Sequence, residues 1–141
     1  MIYISSDHAG FSLKTQFIQY FKENNIEYCD LGCNSTTVCD YPEYGYKLGE
    51  KVISNSNSLG IGICGSGVGI CMAANKIKGI RAVNINNESI AELSKKHNNA
   101  NVICFGARLV NFEDALKYYQ IFTKTKFESR HQSRIDLLNS K

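Results

Sequence analysis

Short apolar runs of strand length alternate with stretches of helical periodicity along the whole chain. Between the first two runs, Leu13, Phe17 and Phe21 recur every four residues and form one apolar stripe. Such alternation is typical of a parallel sheet with helices packed on it, because each helix carries the chain back to start the next strand. The predicted strands are IYIS (2–5), EYCDL (27–31), LGIGIC (59–64), IRAVN (80–84) and NVICF (101–105).

Local signals indicate where individual helices begin and end. Pro42 fits the first turn of a second helix that continues to about Ser54, because a missing N–H costs nothing there. A third helix is predicted from Val68 to Asn75, and Asn111 is expected to cap a fifth helix. The length of 141 residues, 43% of them hydrophobic, suits a single domain, residues 1–141. We therefore predict a three-layer Rossmann-like α/β fold with a five-stranded parallel sheet flanked by helices.

Composition and charge argue against several classes of protein. A net charge of +3 is too small to indicate a nucleic-acid partner. No apolar run is long enough to cross a membrane, and Met1 leads into IYISS without a secretory pattern, so we expect a cytoplasmic protein. The six cysteines are accordingly expected to be reduced thiols. Cys29, Cys33 and Cys39 include no C-x-x-C pair and have no nearby histidine, so no metal site is predicted.

Ligands of parallel sheets bind beyond the carboxyl ends of the strands. Unusual polar residues follow the first, third and fifth predicted strands, at 5–10, 64–69 and 106–108. The end of the fourth helix and the C-terminal segment add further polar side chains, which we expect at the same edge of the sheet. These further side chains are His97, Asn98, Arg130, His131 and Arg134.

A glycine loop separates the third strand from the third helix. Gly65, Gly67 and Gly69 allow a tight turn that directs consecutive N–H groups outward at a helix N-terminus, which suits an anion. Their G-x-G-x-G spacing matches the dinucleotide-binding pattern G-x-G-x-x-G only in part, and no acidic residue follows at the distance that a ribose hydroxyl requires. The loop therefore predicts an anion site more strongly than a nucleotide site.

Cys64 stands at the mouth of this loop, and two interpretations of it are open. It ends an apolar strand, where a buried core cysteine is common. The same position faces a row of N–H dipoles that would favour a thiolate and stabilise an oxyanion beside it, as a catalytic base or nucleophile requires. Cys71 and Cys104 are interpreted as packing residues.

Asp7, His8 and His97 also have two interpretations each. Asp7 and His8 directly follow the first strand, where a charged pair is either a helix cap or an acid–base group beside an anion. His97 shares a predicted helix face with Ile90 and Leu93, which fits a core histidine as well as a catalytic acid. The asparagines of the HNNAN segment favour the catalytic interpretation, since they cost helix stability without a gain in packing.

Three arginines complete the set of candidates. Arg130 and Arg134 are four residues apart and are expected to share a helix face, anchored by Ile135 and Leu138. With Arg108 they either form an ordinary solvated basic surface or converge on a phosphate, which guanidinium groups bind with two hydrogen bonds each.

Taken together, five motifs in order make the chain resemble the ribose-5-phosphate isomerase type B family, in the group shared with galactose-6-phosphate isomerase. They extend almost from end to end. Ser66 stands where the family more often has threonine, and Glu128 and Ser129 replace a usual pair of glycines, so Glu128 brings a negative charge close to the arginine motif. The motifs are SSDHAGFSLK (5–14), DYPEYG (40–45), GICGSGVGICMAANKIKGIRA (62–82), HNNANVICFGAR (97–108) and SRHQSR (129–134).

The resemblance implies an enzyme of the pentose phosphate pathway that interconverts ribose 5-phosphate and ribulose 5-phosphate through an enediolate, without a metal or other cofactor. It implies that Cys64 is the base that moves the proton between C1 and C2. The N–H groups of residues 65–69 would hold the enediolate oxygen. Asp7 and His97 would open the furanose ring, and Ser66 would help to position them.

The same resemblance implies how the substrate is held. Tyr41 and Asn98 would contact sugar hydroxyls, and the C-terminal helix would carry its arginines into the site of a neighbouring subunit. That arrangement requires at least a homodimer, with a tetramer as a dimer of dimers. The residues implied to bind the phosphate are His8, Arg108, Arg130 and Arg134.

Other functions stay open at this point. Galactose-6-phosphate isomerase divides the site residues between two different chains, whereas this chain carries Asp7, His8, Cys64, His97 and Arg130 together, which favours the ribose enzyme. Allose 6-phosphate is a further candidate substrate. A non-catalytic sugar-phosphate-binding protein on the same fold and a nucleotide-binding module are the alternatives outside catalysis.

Overall fold

Five strands alternate with helices in the computed structural model, which describes all 141 residues. The strands are β1 (Ile2–Ser6), β2 (Tyr28–Asp30), β3 (Leu59–Cys64), β4 (Ala82–Asn84) and β5 (Val102–Gly106). The helices are α1 (Phe11–Glu23), α2 (Tyr41–Ile53), α3 (Val68–Ala74), α4 (Glu88–Lys96), α5 (Phe112–Lys124) and α6 (Gln132–Asn139). A 3₁₀ turn at Ser129–His131 precedes α6.

The strands form one parallel sheet in the order β2-β1-β3-β5-β4. The long strands β1, β3 and β5 lie at its centre, and β3 pairs with β1 from Ile2↔Leu59 to Ser6↔Ile63. All pairings are parallel, so every connection between strands is a crossover. The predicted three-layer α/β fold with a five-stranded parallel sheet is confirmed.

Side chains that point to alternate faces of the sheet divide the core into two layers. Ile61 and Ile63 of β3 point into a cluster that α1, α4 and α5 cover, with Phe17 at its aromatic centre. Cys64 lies in the opposite cluster, under α2 and α3. Because side chains on a strand alternate between faces, both layers are built from the same strands.

Small residues let α2 and α3 approach each other and the sheet. A Cβ on Gly45 of α2 would lie 2.5 Å from the Ala73 Cβ and 2.9 Å from the Ile70 carbonyl oxygen of α3. A Cβ on Gly69, at the start of α3, would lie 2.5 Å from the Tyr41 ring at the start of α2. The close packing of these two helices therefore fixes Tyr41 beside the loop that precedes α3.

Several local predictions are confirmed. β3 has the predicted bounds, and Pro42 lies in the first turn of α2, which ends at Ile53. The Asn111 side chain accepts the Asp114 N–H at 2.9 Å and caps α5. β4 is shorter than its apolar run, because Ile80 belongs to the turn after α3, where its N–H donates to the Ile77 carbonyl.

The predicted apolar face of the fourth helix is correct for Ile90, which packs against the core, and wrong for Leu93. Ala91 and Ser94 are the buried side chains of α4, whereas Leu93 is 38% exposed. The physical reason is that α4 packs on its neighbours through small side chains, which turns the larger Leu93 toward solvent. His97 follows the last turn of α4 and is half-buried.

The expectation of six reduced thiols is wrong for one pair. Cys33 and Cys39 form a disulfide, with Cα atoms 6.6 Å apart. The segment between β2 and α2 turns back on itself, which brings these two residues together although six positions separate them. Cys29, Cys64, Cys71 and Cys104 are free.

None of the helices is both long and apolar enough to cross a bilayer. No group of three or more histidine, cysteine, aspartate or glutamate side chains is arranged to hold a metal ion.

Replacing Gly45 with alanine tests the packing of α2 on α3. Alanine at an exposed helical position is more stable than glycine by about 1 kcal/mol. Here the new Cβ meets Ala73 and backbone, so we expect a loss of about 1–3 kcal/mol in the free energy of unfolding, measured in urea. Glu50→Ala, at an exposed position of the same helix, should change it by less than about 0.5 kcal/mol. A more stable Gly45→Ala protein would contradict the packing described.

Candidate active site

A cavity of ≈490 Å³ opens beyond the carboxyl ends of β1, β3 and β5. Seven of the predicted site residues line it, together with the apolar side chains of Val68, Met72 and Leu109. The first strand, the glycine loop and the fifth strand therefore meet as the sequence predicts. The seven predicted residues are Asp7, Tyr41, Cys64, Gly65, Ser66, Gly69 and Arg108.

Cys64 is both a buried residue and a residue that borders the cavity. It is 4% exposed and packs in the cluster with Ile70 and Cys104. Its Sγ nevertheless lines the cavity side of the loop and accepts the Gly67 N–H at 3.2 Å. A thiol held by a backbone N–H at the edge of a cavity is placed to exchange a proton with a bound molecule.

The glycine loop leaves several N–H groups without an acceptor inside the chain. The Gly67 N–H is used by Cys64, and the Val68 N–H donates to the Ser66 Oγ at 3.2 Å. The N–H groups of Gly65, Ser66 and Gly69 have no internal partner. These three residues line the cavity, so the loop presents free donors where an anion would lie.

Asn84 at the end of β4 holds the loop in place, and the sequence analysis missed it. Its Nδ2 donates to the Ser66 carbonyl at 3.2 Å. Gly67 has a left-handed φ of +80°, and a Cβ there would lie 2.5 Å from the Asn84 Oδ1 and 2.8 Å from the Phe105 carbonyl carbon. A polar residue that ends an otherwise apolar strand was the signal that could have identified Asn84.

Asp7 and His8 occupy the turn after β1. The Asp7 Oδ1 accepts the Gly10 N–H at 3.0 Å, so Asp7 closes the turn that precedes α1 while it also lines the cavity. His8 lies outside that lining, and its Nδ1 lies 3.2 Å from both the backbone nitrogen and the carbonyl oxygen of Cys39. The ring of His8 is therefore held by the backbone of Cys39.

Arg108 is the positively charged residue that lines this cavity. It is exposed and forms no ion pair. Its guanidinium packs over Gly65, where a Cβ would lie 3.0 Å from Nη1. Five donors in a planar fork beside the free N–H groups of the loop suit a phosphate or a sugar oxygen.

Three of the other predicted site residues lie in a second cavity, which corrects the expectation of one common edge. His97, Asn98 and Arg134 line a separate cavity of ≈240 Å³ with His131, Ile135 and Leu138. α4 starts after β4 at the carboxyl edge and returns the chain to the amino edge, where β5 begins. There the Gly60 N–H, at the start of β3, donates to the Asn101 carbonyl at 2.9 Å.

The sheet therefore separates two groups of predicted site residues. A strand of five or six residues spans roughly 17–20 Å. Asp7 and Cys64 lie beyond one end of β1 and β3, and His97 lies beyond the other end of β5. Within one chain, these side chains do not meet.

The predicted site residues at the amino edge of the sheet are called here the amino-edge group: His97, Asn98, Arg130 and Arg134. His131 contacts two of them, although it was not singled out as a site residue. Its ring lies 4.6 Å from that of His97, and its Nδ1 lies 3.1 Å from the Arg134 Nη1. Because a guanidinium only donates, the Nδ1 accepts and the proton lies on the Nε2, which is buried and has no partner. Burial, and then the positive charge of Arg130, lower the pKa of His131, which favours this neutral form.

Arg81 holds the turn after α4 and was also missed. Its guanidinium donates to the carbonyls of Asn98 and Asn99 and to the Asn139 Oδ1 of α6, at 2.8–3.2 Å. Burial lowers the pKa of Arg81. It therefore links the segment that carries His97 to the C-terminal helix.

The C-terminal arginines do not share one helix as expected. Arg130 lies in the 3₁₀ turn and pairs with Glu128, whereas Arg134 lies in α6. Ile135 is buried and anchors α6 as predicted, but Leu138 is 58% exposed. The two arginines have different partners, since Arg130 pairs with Glu128 and Arg134 contacts His131.

Comparison with known proteins identifies relatives over nearly the whole chain. The sequence model of the Ribose/Galactose Isomerase family matches residues 2–138. A probable ribose-5-phosphate isomerase B of Mycoplasma genitalium is 44% identical over 138 residues, which are 96% of this chain and 91% of the relative. Ribose-5-phosphate isomerase B of Escherichia coli is 38% identical over 135 residues, 95% of this chain and 91% of the relative.

A solved structure is similar to this chain over nearly its whole length. Ribose-5-phosphate isomerase B from Mycoplasma genitalium with bound ribulose-5-phosphate superposes with a TM-score of 0.93 at 42% identity, over 99% of this chain and 93% of that chain. The chain belongs to the Ribose/Galactose Isomerase family.

Proposed function

We propose that this chain is an aldose–ketose isomerase that interconverts ribose 5-phosphate and ribulose 5-phosphate through an enediolate. The observation that carries the proposal is the Cys64 thiol, held by the Gly67 N–H at the rim of a cavity with free N–H donors. A proton donor–acceptor beside an anion site is what proton transfer next to a carbonyl requires. The relative from Mycoplasma genitalium, which holds ribulose-5-phosphate, supports this choice of substrate.

The chemistry needs one base and one oxyanion site. The Cys64 thiolate would take the proton from C2 of the open-chain aldose, and the electrons of that bond would form the C1=C2 double bond and leave negative charge on O1. The free N–H groups of Gly65, Ser66 and Gly69 are the donors for that oxygen. The thiol then returns its proton to C1, while the O2 proton passes to O1, which yields the ketose.

Ring opening and phosphate binding would draw on both edges of the sheet. Asp7 would act from the carboxyl edge, and His97 from the amino edge, as proton acceptor and donor for the furanose. Tyr41 and Asn98 would contact sugar hydroxyls. The phosphate would be held by His8 and Arg108 of the carboxyl edge and by Arg130 and Arg134 of the amino edge.

Since the two edges are separated within one chain, the proposed enzyme is a homodimer. Each site would combine the carboxyl-edge cavity of one chain with the amino-edge group of its partner, and a twofold axis then builds two such sites. Residues 1–141 would act as one domain of this dimer, and α6 would carry Arg134 toward the partner.

A substrate panel tests the proposed reaction. Purified protein treated with EDTA should convert ribose 5-phosphate to ribulose 5-phosphate at an undiminished rate, since no step uses a metal. Allose 6-phosphate and galactose 6-phosphate, assayed in parallel, should be converted more slowly. Faster conversion of either hexose phosphate would change the proposed substrate, and loss of activity with EDTA would contradict the chemistry.

Replacing Cys64 with alanine tests the proposed base. We expect kcat to fall by about 10²–10⁴-fold, the range of general acid–base catalysis, while binding of inorganic phosphate changes little. Cys71→Ala is the matched control, because Cys71 lies on α3 outside the cavity lining, and it should keep its activity. Normal turnover by Cys64→Ala protein would show that the thiol is not the base.

Mixing two inactive variants tests the shared site. A Cys64→Ala chain has an intact amino edge, and a His97→Asn chain has an intact carboxyl edge. If subunits of an equal mixture are exchanged by mild denaturation and refolding, half of the dimers are mixed and each has one complete site, so about a quarter of wild-type activity should return. A site built within one chain would recover none, because every chain then carries a damaged site.

A further inference from the structure

Glu128 lies between two cations at the amino edge of the sheet. Its Oε2 accepts the Arg130 Nε–H at 2.7 Å, and its Oε1 lies 3.5 Å from the Lys96 Nζ. The hydrogen bond from Arg130, followed by the charges of Arg130 and Lys96, lowers the pKa of the Glu128 carboxyl. Glu128 is therefore a fixed negative charge at neutral pH.

The pairing leaves part of Arg130 unused. Glu128 accepts the hydrogen bond of the Arg130 Nε. The two terminal nitrogens of the Arg130 guanidinium have no partner, and the Arg130 side chain is 64% exposed. Arg134 bonds only to the neutral His131 and has no carboxylate partner. Of the two amino-edge arginines proposed to bind the phosphate, one thus carries a counter-charge and the other does not.

We propose that Glu128 sets the affinity of this site for the substrate phosphate, as an internal anion that offsets the charge of Lys96 and Arg130. This inference rests on the proposed function, because it assigns the amino-edge group to phosphate binding. A phosphate dianion near Arg130 meets the attraction of the guanidinium and, a few ångströms away, the repulsion of the carboxylate. The carboxylate thereby weakens binding of the substrate and product phosphate alike.

A purely structural explanation of the Glu128 side chain is weaker. The backbone already ties this segment to α4, since the Glu128 N–H donates to the Lys96 carbonyl at 3.0 Å. The side chain is about one-third exposed, and its ion pairs lie at the surface, where such pairs contribute little to stability. Removal of its charge should therefore leave the path of the chain unchanged and alter mainly the local electrostatic field.

The test compares Glu128→Gln with Glu92→Gln. Glutamine keeps an oxygen that can accept from the Arg130 Nε but removes the charge. Glu92 is the matched control, because its Oε1 lies 3.6 Å from the same Lys96 Nζ, one helical turn before it, and it does not pair with Arg130. The measurements are KM and kcat for ribose 5-phosphate and the dissociation constant of inorganic phosphate at several salt concentrations.

For Glu128→Gln we expect KM and the phosphate dissociation constant to fall about three- to tenfold, with a much smaller change in kcat. Phosphate binding should also depend more steeply on salt, because an uncompensated cation is screened. Glu92→Gln should match the wild-type protein in all three quantities. Glu128→Ala should shift binding in the same direction, which excludes an effect specific to the glutamine amide.

Other outcomes overturn the inference. Weaker phosphate binding by Glu128→Gln would mean that Glu128 orients Arg130, and unchanged binding would mean that it has no influence on the site. Failure of the proposed function is visible separately: wild-type protein would then not isomerise ribose 5-phosphate, whatever the phosphate titrations show. If neither the wild-type protein nor Glu128→Gln binds phosphate, both proposals are wrong.

Discussion

The geometry of the parallel crossover governs where every candidate residue lies. A strand followed by an antiparallel helix returns the chain to the edge from which the strand started, because only there can the next parallel strand begin. Residues that follow strands, such as Asp7, Cys64 and Arg108, therefore collect at the carboxyl edge. Residues that end a helix, such as His97, are delivered to the amino edge. One chain of this topology thus carries two separate groups of candidate site residues, and the number of residues in a strand sets the distance between them.

The geometry of the cavity at the carboxyl edge depends on backbone packing more than on side chains. Gly67 accepts a left-handed conformation against Asn84 and the backbone of β5, which aims its N–H at the Cys64 Sγ. Gly69 allows the Tyr41 ring to lie against the start of α3. A side chain at either position would displace the donors that surround the thiol. This explains how Cys64 is buried in a packed layer and still borders a cavity: it reaches the cavity through a loop that has almost no side chains.

Periodicity and local chemistry predicted most of the fold, because both act over a few residues. β3, the cap at Asn111 and Pro42 at the start of α2 are set by neighbours in the sequence. The residues at the carboxyl edge were predictable as well, because ligands of parallel sheets bind beyond the carboxyl ends of the strands. That prediction needs only the positions of the strands in the sequence. The placement of His97 at the same edge was wrong because it treated a helix end as if it were a strand end. The Cys33–Cys39 pair, and the contacts of Asn84, Arg81 and His131, depend on how loops meet in space, which spacing does not show.

Charge is distributed unequally between the two edges of the sheet. The carboxyl-edge cavity has one unpaired cation, Arg108, and the carboxyl group of Asp7. At the amino edge, Glu128 pairs with both Lys96 and Arg130, whereas Arg134 contacts only the neutral His131. A sugar phosphate is charged at one end and reacts at the other, so binding energy at the phosphate can orient distant carbons at a base. In the proposed dimer, the base would lie on one chain and most of the phosphate-binding cations on its partner. The strength of phosphate binding could then change without any change near the thiol. Substitutions at the amino edge would then alter substrate affinity, and the glycine loop would keep the geometry that proton transfer requires.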